Sequence, residues 1–237
     1  MNQITLIEEL GWFGLTRQEA QIYISLVQMG ELTGYEAAKQ TGISRSNTYS
    51  AMAGLVEKGA AYLVEGNANK YIPVLPDEFC SNKIRLLAHS RELLKNQITT
   101  LPEPSEGYIT ITGMKHIDNK IYHMIEHAEK RIYISATKLR IEERKAELLK
   151  AIERNIKVVI VTDAFPDIEG AIYYLAENKG KQFHIICDSN HVLTGEISGL
   201  STDTCLYSGQ PNFVNVLKEA LRNEIKLLEL IQKGEKK

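Results

Sequence analysis

No stretch of the 237 residues approaches the roughly 18 consecutive apolar side chains that a bilayer-spanning helix needs. The opening residues, Met-Asn-Gln-Ile-Thr, also lack the basic segment running into an apolar one that marks a secretory leader. A cytoplasmic protein with no membrane partner is expected. Cysteine is scarce: Cys80, Cys187 and Cys205 form no C-x-x-C pair, so neither a disulfide framework nor a zinc knuckle is suggested. Cys187 and Cys205 lie in strand-like runs and are either neighbours or reduced core residues. Charge of one sign is lacking too. With 28 Lys and Arg against 30 Asp and Glu, a nonspecific coat for nucleic acid is disfavoured, and any DNA binding must depend on where the charges lie. What remains is an ordinary globular composition, 43% hydrophobic and 24% charged, in a chain long enough for two domains.

The informative stretch is Thr33 to Tyr71. Thr33 with Glu36 three residues on forms a capping box, each side chain answering the other's unpaired backbone N–H. Gly42, within Thr41-Gly42-Ile43, takes the positive φ that ends a helix, and Ile43 plugs the angle between two helices. Ser44 caps the second helix. At helical spacing Thr48, Met52, Leu55 and Val56 share one face, which leaves Arg45, Ser46, Asn47 and Ser50 pointing outward. Gly59 ends that helix. Ala61–Val64 and Tyr71–Val74 then alternate as two strands around a turn of Gly66, Asn67, Ala68, Asn69 and Lys70.

This is a winged helix-turn-helix, an α+β unit over residues 1–75. Its candidate DNA contacts are Ser44, Arg45, Ser46, Asn47 and Ser50 on the recognition helix, with Asn69 and Lys70 at the wing tip, where Lys70 would hold a phosphate. The alternative is a winged-helix adaptor that binds protein. Residues 1–75 hold five basic against seven acidic side chains, so a sequence reader of modest, salt-sensitive affinity is expected.

Upstream, residues 4–10 read as a short helix closed by Gly11, with Trp12 and Phe13 as an apolar lid and Trp12 in a core or dimer contact. Thr16 and Glu19 repeat the capping box, starting a helix to about Met29 whose stripe is Ala20, Ile22, Tyr23, Leu26 and Val27. The set Gly14-Leu15-Thr16, Glu19-Ala20, Tyr23, Ala37-Ala38, Thr41-Gly42-Ile43, Arg45, Tyr49, Leu55 and Gly59 resembles the N-terminal domain of the TrmB-like transcriptional regulators. The resemblance runs without a gap over about 65 residues. It implies that the unit binds operator DNA with Arg45 at the opening of the recognition helix, and that Tyr49 packs instead of contacting bases.

Pro76 suits the first turn of a helix, with Asp77 and Glu78 beside it. From there to Leu101, apolar residues fall on Cys80, Ile84, Leu87, Leu94, Ile98 and Leu101, with Arg91 the one polar entry, so that the steps alternate between four and three, a coiled-coil seam over residues 76–101. The seam serves either a homodimer, which would read a roughly palindromic operator, or packing on the chain's own second domain. Pro102 to Gly107 is a linker.

Residues 108–232 alternate strands and helices, predicting an α/β sandwich with a mostly parallel sheet. Strands are expected over 108–112, 131–136, 157–162, 183–187, 191–194 and 204–207. Helices are expected over about 142–154, 168–178 and 212–231 as well as after the first strand, with 233–237 a solvated tail. The order of elements, with Asp188 before His191-Val192-Leu193-Thr194-Gly195, resembles the phospholipase D-like domain carried by many TrmB-like regulators. Catalytic members of that superfamily use H-x-K-x-x-x-x-D, with histidine as nucleophile and lysine on the phosphate. With Asp188 at the aspartate, Lys181 and Phe183 fill the other two places, so no catalytic residues, cofactor or enzyme activity are expected. The alternative is a phosphodiesterase or nuclease.

His116, His123 and His127 line one side of the helix after the first strand, but no carboxylate or cysteine completes a set, so no metal site is expected. Ser135, Thr137, Asp163 and Asp188 end strands where open α/β sheets keep their ligand crevice. They are candidates for a small-molecule effector site, and Asp163 is equally readable as a cap for the helix that follows it. The reading is a dimeric regulator of double-stranded DNA with a non-catalytic sensing or dimerising domain.

Overall fold

The reciprocal cap at Thr16 forms as the sequence predicts: Glu19 N donates to Thr16 Oγ1 (3.3 Å) and Thr16 N to Glu19 Oε2 (2.7 Å). In the computed structural model, which describes residues 3–98, 107–176 and 179–234, the chain divides into two units, Met1–Leu101 and Pro102–Lys237.

The first unit comprises α1 (Gln3–Trp12), α2 (Arg17–Met29), β1 (Leu32–Thr33), α3 (Gly34–Thr41), α4 (Arg45–Glu57), β2 (Ala61–Val64), β3 (Lys70–Pro73) and α5 (Pro76–Gln97). The three strands pair antiparallel in the order β1-β3-β2. Strand β1, two residues long, has no periodicity by which the sequence could reveal it. The core gathers Ile22, Tyr23 and Leu26 of α2, Met52 and Leu55 of α4, and Phe79 of α5, all buried. Tyr23 satisfies its hydroxyl inside that core by donating to the Val74 carbonyl (2.7 Å).

Two expectations fail here. Helix α1 continues through Gly11, and the turn falls at Gly14, φ +90°. Val27 is exposed. Trp12, 69% exposed, is not in the core of this unit, which leaves a dimer contact as its expected role. A stripe i, i+3, i+4 tells which side of a helix is apolar, not how far the neighbouring element reaches along it.

Helix α5 opens with Pro76 at its first position and Asp77 and Glu78 in its first turn. Phe79 anchors it against Phe13 and Tyr23, with ring centroids 6.3 and 5.6 Å away. Beyond that foot the seam residues Ile84, Leu87, Leu94 and Ile98 are exposed. Leu101 and linker residues 102–106 lie outside the described residues.

The second unit comprises β4 (Tyr108–Thr112), α6 (Met114–Glu126), β5 (Arg131–Ser135), α7 (Lys138–Glu142), α8 (Lys145–Glu153), β6 (Lys157–Thr162), β7 (Ile172–Leu175), β8 (Gln182–Cys187), β9 (His191–Glu196), β10 (Thr204–Ser208) and α9 (Pro211–Gly234). One sheet of order β4-β10-β9-β8-β5-β6-β7 joins all its strands. Ile117, Ile121 and Leu148 of α6 and α8 pack on one face. Val214, Leu221 and Ile225 of α9 pack on the other.

The sheet is mixed, not mostly parallel. Only β5 with β6 and β6 with β7 run parallel; β4, β10, β9 and β8 zigzag antiparallel to the edge of β5. The cause is connection length. Asp188, Ser189 and Asn190 alone join β8 to β9, with φ +54° and +60° at the first two, and so short a loop can only close a hairpin.

The helix expected over 168–178 is instead β7, whose Ile172-Tyr173-Tyr174-Leu175 pairs along β6, as β-branched and aromatic side chains favour. Glu177 and Asn178 lie outside the described residues. The helix expected over about 142–154 is α8, Lys145–Glu153, and a short α7 that was not expected precedes it. The end of the tail, 235–237, is outside the described residues, whereas Lys233 and Gly234 still belong to α9. Cys187 and Cys205, both buried, are separated by the whole of β9 and are not neighbours. No helix among the described residues is long and apolar enough to cross a membrane.

Candidate nucleic-acid interface

Helix α3 starts on its own box: Thr33 N donates to Glu36 Oε2 (2.8 Å) and Glu36 N to Thr33 Oγ1 (3.3 Å). It stops at Gly42, which is left-handed at φ +71° and returns its N–H to the Ala38 carbonyl. The chain then re-enters helix at Ser44, whose Oγ accepts from Asn47 N (3.4 Å). Helix α4 closes on Gly59, with Gly59 N to the Val56 carbonyl and Ala60 N to the Leu55 carbonyl, the paired bonds of a Schellman end. The two helices of the motif are therefore fixed by local bonds at both ends.

The buried face of α4 is Thr48, Ala51, Met52 and Leu55. Rotation about the helix axis is set by that face, so Ser44, Arg45, Ser46, Asn47 and Ser50 all stand in solvent at the leading end. Arg45 does not wave freely. Its guanidinium carbon lies 4.7 Å from the centre of the Tyr35 ring on α3, a cation–π contact that limits the rotamers it samples. Sequence reasoning missed Tyr35, because an aromatic ten residues upstream and across a turn has no local signature. Tyr49 is half exposed, and its ring lies over Gly34 so closely that any Cβ there would collide with it. It packs, as the resemblance implied, though at the surface.

Asn69 and Lys70 are exposed as well. Lys70 is not at the wing tip, however: it is the first residue of β3, and its ammonium is held by Glu31 at 2.7 Å. That hydrogen bond and charge raise the Lys70 pKa. An arriving phosphate must compete with Glu31.

Behind the interface, Glu19 is buried and joins the start of α2 to the end of α4 through Lys58 (2.6 Å). Burial pushes its carboxyl pKa up, but the Lys58 ammonium and the Thr16 N–H and hydroxyl outweigh that and hold it below its ordinary value.

In the second unit, the four residues assigned to one crevice are divided. Ser135, Thr137 and Asp163 lie at one end of the sheet. Because β8 runs antiparallel to β5, Asp188 lies at the other, beside Arg131. There its carboxylate accepts the backbone N–H groups of Glu129, Lys130 and Arg131 at 2.8 to 2.9 Å. Burial raises its pKa and those three donors more than reverse the shift.

Asp163 is a cap, but for α7, which precedes it: Oδ1 accepts from Lys138 N (2.7 Å). Thr137 is the N-cap residue of α7, without a side-chain bond. Ser135 is buried and accepts from Lys179 (2.8 Å), which also pairs with Glu224. Phe183, at the place where the hydrolytic motif needs a lysine, is 2% exposed in the core. His123 and His127 are stacked at 4.0 Å on the exposed side of α6, and no group of three or more metal-ligating side chains occurs among the described residues.

Comparison with known proteins separates the two units in the same way. A family model described as sugar-specific transcriptional regulator TrmB matches residues 10–77, and one described as transcriptional regulator TrmB, EBD N-terminal subdomain, matches residues 107–217. An uncharacterized protein of Bacillus subtilis, YrhO, is 28% identical over 246 residues, covering 98% of this chain and 87% of the relative. The sugar-sensing regulator TrmBL1 of Pyrococcus furiosus is 28% identical over 169 residues, covering 69% of this chain and 48% of its own length. Among solved structures, that of the archaeal chromatin protein TrmBL2 aligns with 94% of this chain and 98% of its own at 22% identity and a TM-score of 0.44. With a family model on each unit and the winged-helix geometry between Thr16 and Pro73, the chain belongs to the TrmB-like family of transcriptional regulators.

Proposed function

We propose that this protein is a sequence-specific, DNA-binding transcriptional regulator of the cytoplasm that works as a dimer. DNA binding and transcriptional regulation come with the family; the contacts and the dimer are our reading. The observation that carries it is the leading end of α4, where five polar side chains stand exposed above a fully buried face. Such an end enters the major groove, where Arg45 can offer two donors to guanine while Ser46, Asn47 and Ser50 add single bonds. Asn69 and Lys70 then reach a flanking phosphate, Lys70 by exchanging Glu31 for it.

The exposed seam along α5, Ile84, Leu87, Leu94 and Ile98 with Arg91 as its one polar position, supports pairing of two copies, since a seam with steps of four and three buries its apolar side chains against a partner helix. A two-fold pair predicts half-sites one helical turn apart, roughly 34 Å, in a near-palindromic operator.

The second unit, read as a phospholipase D-like domain, senses or dimerises and does not hydrolyse. The buried Phe183 and the fully engaged Asp188 support that reading, because neither can hold a phosphoryl group.

Selection of bound sites from random duplexes supplies the operator. On it, Arg45→Ala is expected to lose about 1 to 3 kcal/mol of binding. Equal binding by variant and parent sinks the assignment of Arg45, and an unstructured pool after selection sinks DNA reading altogether.

A further inference from the structure

A cavity of about 320 Å³ opens in the second unit between the sheet and α9, and its rim is cationic: Arg131, Lys157, Lys218, Arg222 and Lys226. The sheet register builds half of this rim, since Arg131 on β5 lies directly beside Lys157 on β6. Helical spacing builds the other half. Lys218, Arg222 and Lys226 recur every fourth residue, so they form one row along α9. Cations set this close repel one another. Yet of the five only Arg222 has an acidic partner among the described residues, Glu219 in the same helix.

Below the rim the character changes. Val159, Ile172, Ile186 and Ile225 make an apolar floor, and Tyr133 and Tyr174 stand on the same sheet face. One carboxylate is present, Glu229, positioned by the Tyr174 hydroxyl (3.1 Å). A concave site of this volume, with an apolar floor and convergent polar groups above it, has the form of a small-molecule pocket. A nucleic-acid backbone takes an extended, open basic track instead.

We infer that this cavity binds a small phosphorylated metabolite, a phosphomonoester on a compact ring bearing hydroxyl groups. The phosphate, carrying close to two negative charges at neutral pH, lies among Arg131, Lys157 and the α9 row, where guanidinium forks match its oxygens. The ring rests on the apolar floor, and Glu229 accepts from a ring hydroxyl. Binding here does not depend on DNA recognition by the first unit; only a consequent change in operator affinity would.

Isothermal titration calorimetry on the full chain tests this, with glucose 6-phosphate and AMP as probes and glucose and adenosine as their uncharged counterparts. At least one phosphorylated probe is expected to bind at least ten times more tightly than its counterpart. Arg131→Ala with Lys226→Ala is expected to weaken it at least tenfold. Both side chains are exposed, so the variant should keep the parent's circular dichroism, and Lys218→Ala alone provides a milder second variant with a smaller loss. No heat from either phosphorylated probe at millimolar concentration overturns the proposal, as does equal binding of charged and uncharged probes. Loss of duplex binding in the double variant, with neither phosphorylated probe bound by the parent, also overturns it and makes the rim a DNA contact. Failure of the operator experiment leaves these titrations untouched, so the two readings fall separately.

Discussion

The candidate site of the first unit and the cavity of the second handle positive charge in opposite ways. In the winged helix three cations are held: Lys58 by Glu19, Lys70 by Glu31, and Arg45 on the face of Tyr35. In the α/β unit Arg131, Lys157, Lys218 and Lys226 converge on one cavity without acidic partners among the described residues. Held cations aim a side chain at a defined place and keep a net-acidic unit from coating any duplex. Unheld cations around a concavity leave a field that only an anion relieves. Under the two proposals, the same residue types serve recognition of position in one unit and of charge in the other.

The largest expected effect tests whether the units are separate at all. Phe79→Ala, removing a side chain 1% exposed, should cost the first unit about 3 to 5 kcal/mol. Phe183→Ala should do the same to the second. Trp12, the only tryptophan, reports the first unit by fluorescence while circular dichroism sees both. Phe79→Ala is expected to lower the fluorescence transition and leave a second dichroism transition in place; a single coincident shift in both variants would merge the units into one.

Next in size is Glu19→Gln. Replacing a charged acceptor in a buried bond costs about 1.5 to 3 kcal/mol, and the lower end applies because Lys58 keeps 30% exposure. The sign of the pH effect follows from the lowered Glu19 pKa. A carboxyl held lower when folded stabilises fully above its unfolded value and loses that stabilisation as pH falls through the folded one. The parent's first transition should therefore fall in acid more steeply than the variant's. Parallel curves would show that Lys58 contributes nothing.

Smaller still, Tyr35→Ala should weaken operator binding by about 0.5 to 1 kcal/mol, the worth of an exposed cation–π contact that preorders Arg45, and should have no effect in an Arg45→Ala background. An additive loss would give Tyr35 its own contact. The smallest effect belongs to Lys70→Ala, which should weaken all duplexes alike and reduce the salt slope by about one. An unchanged slope would mean that Glu31 keeps the ammonium.

Much of the winged helix was legible because its determinants are a few residues apart. Thr16 with Glu19, Thr33 with Glu36, and the Ser44 cap with Gly42 before it each close a helix end by bonds between near neighbours. The exposed set on α4 then follows from helical spacing alone. Even there, what lay across space was missed: Tyr35 beneath Arg45, Glu31 on Lys70, and the exposure of Val27.

In the second unit the strands were mostly legible and the site was not. Asp188 was grouped with Ser135 and Asp163 because all three end strands, which is informative only if the strands share a direction. β8 runs antiparallel to β5, so Asp188 at its end lies at the other end of the sheet and becomes a cap for the turn before β5.

The sequence by itself determined where α2, α3 and α4 begin and end, which face of α4 is buried and which polar side chains remain outside it, since hydrogen bonds and side-chain spacing over three or four residues suffice for these. Only the tertiary structure decided strand direction, the partners of Lys70 and Arg45, and the gathering of Arg131 and Lys157 with a row on α9 that starts 61 residues further along the chain than Lys157. Those depend on register and on helix docking across the sheet, where the energy lies in contacts between residues that no local pattern connects.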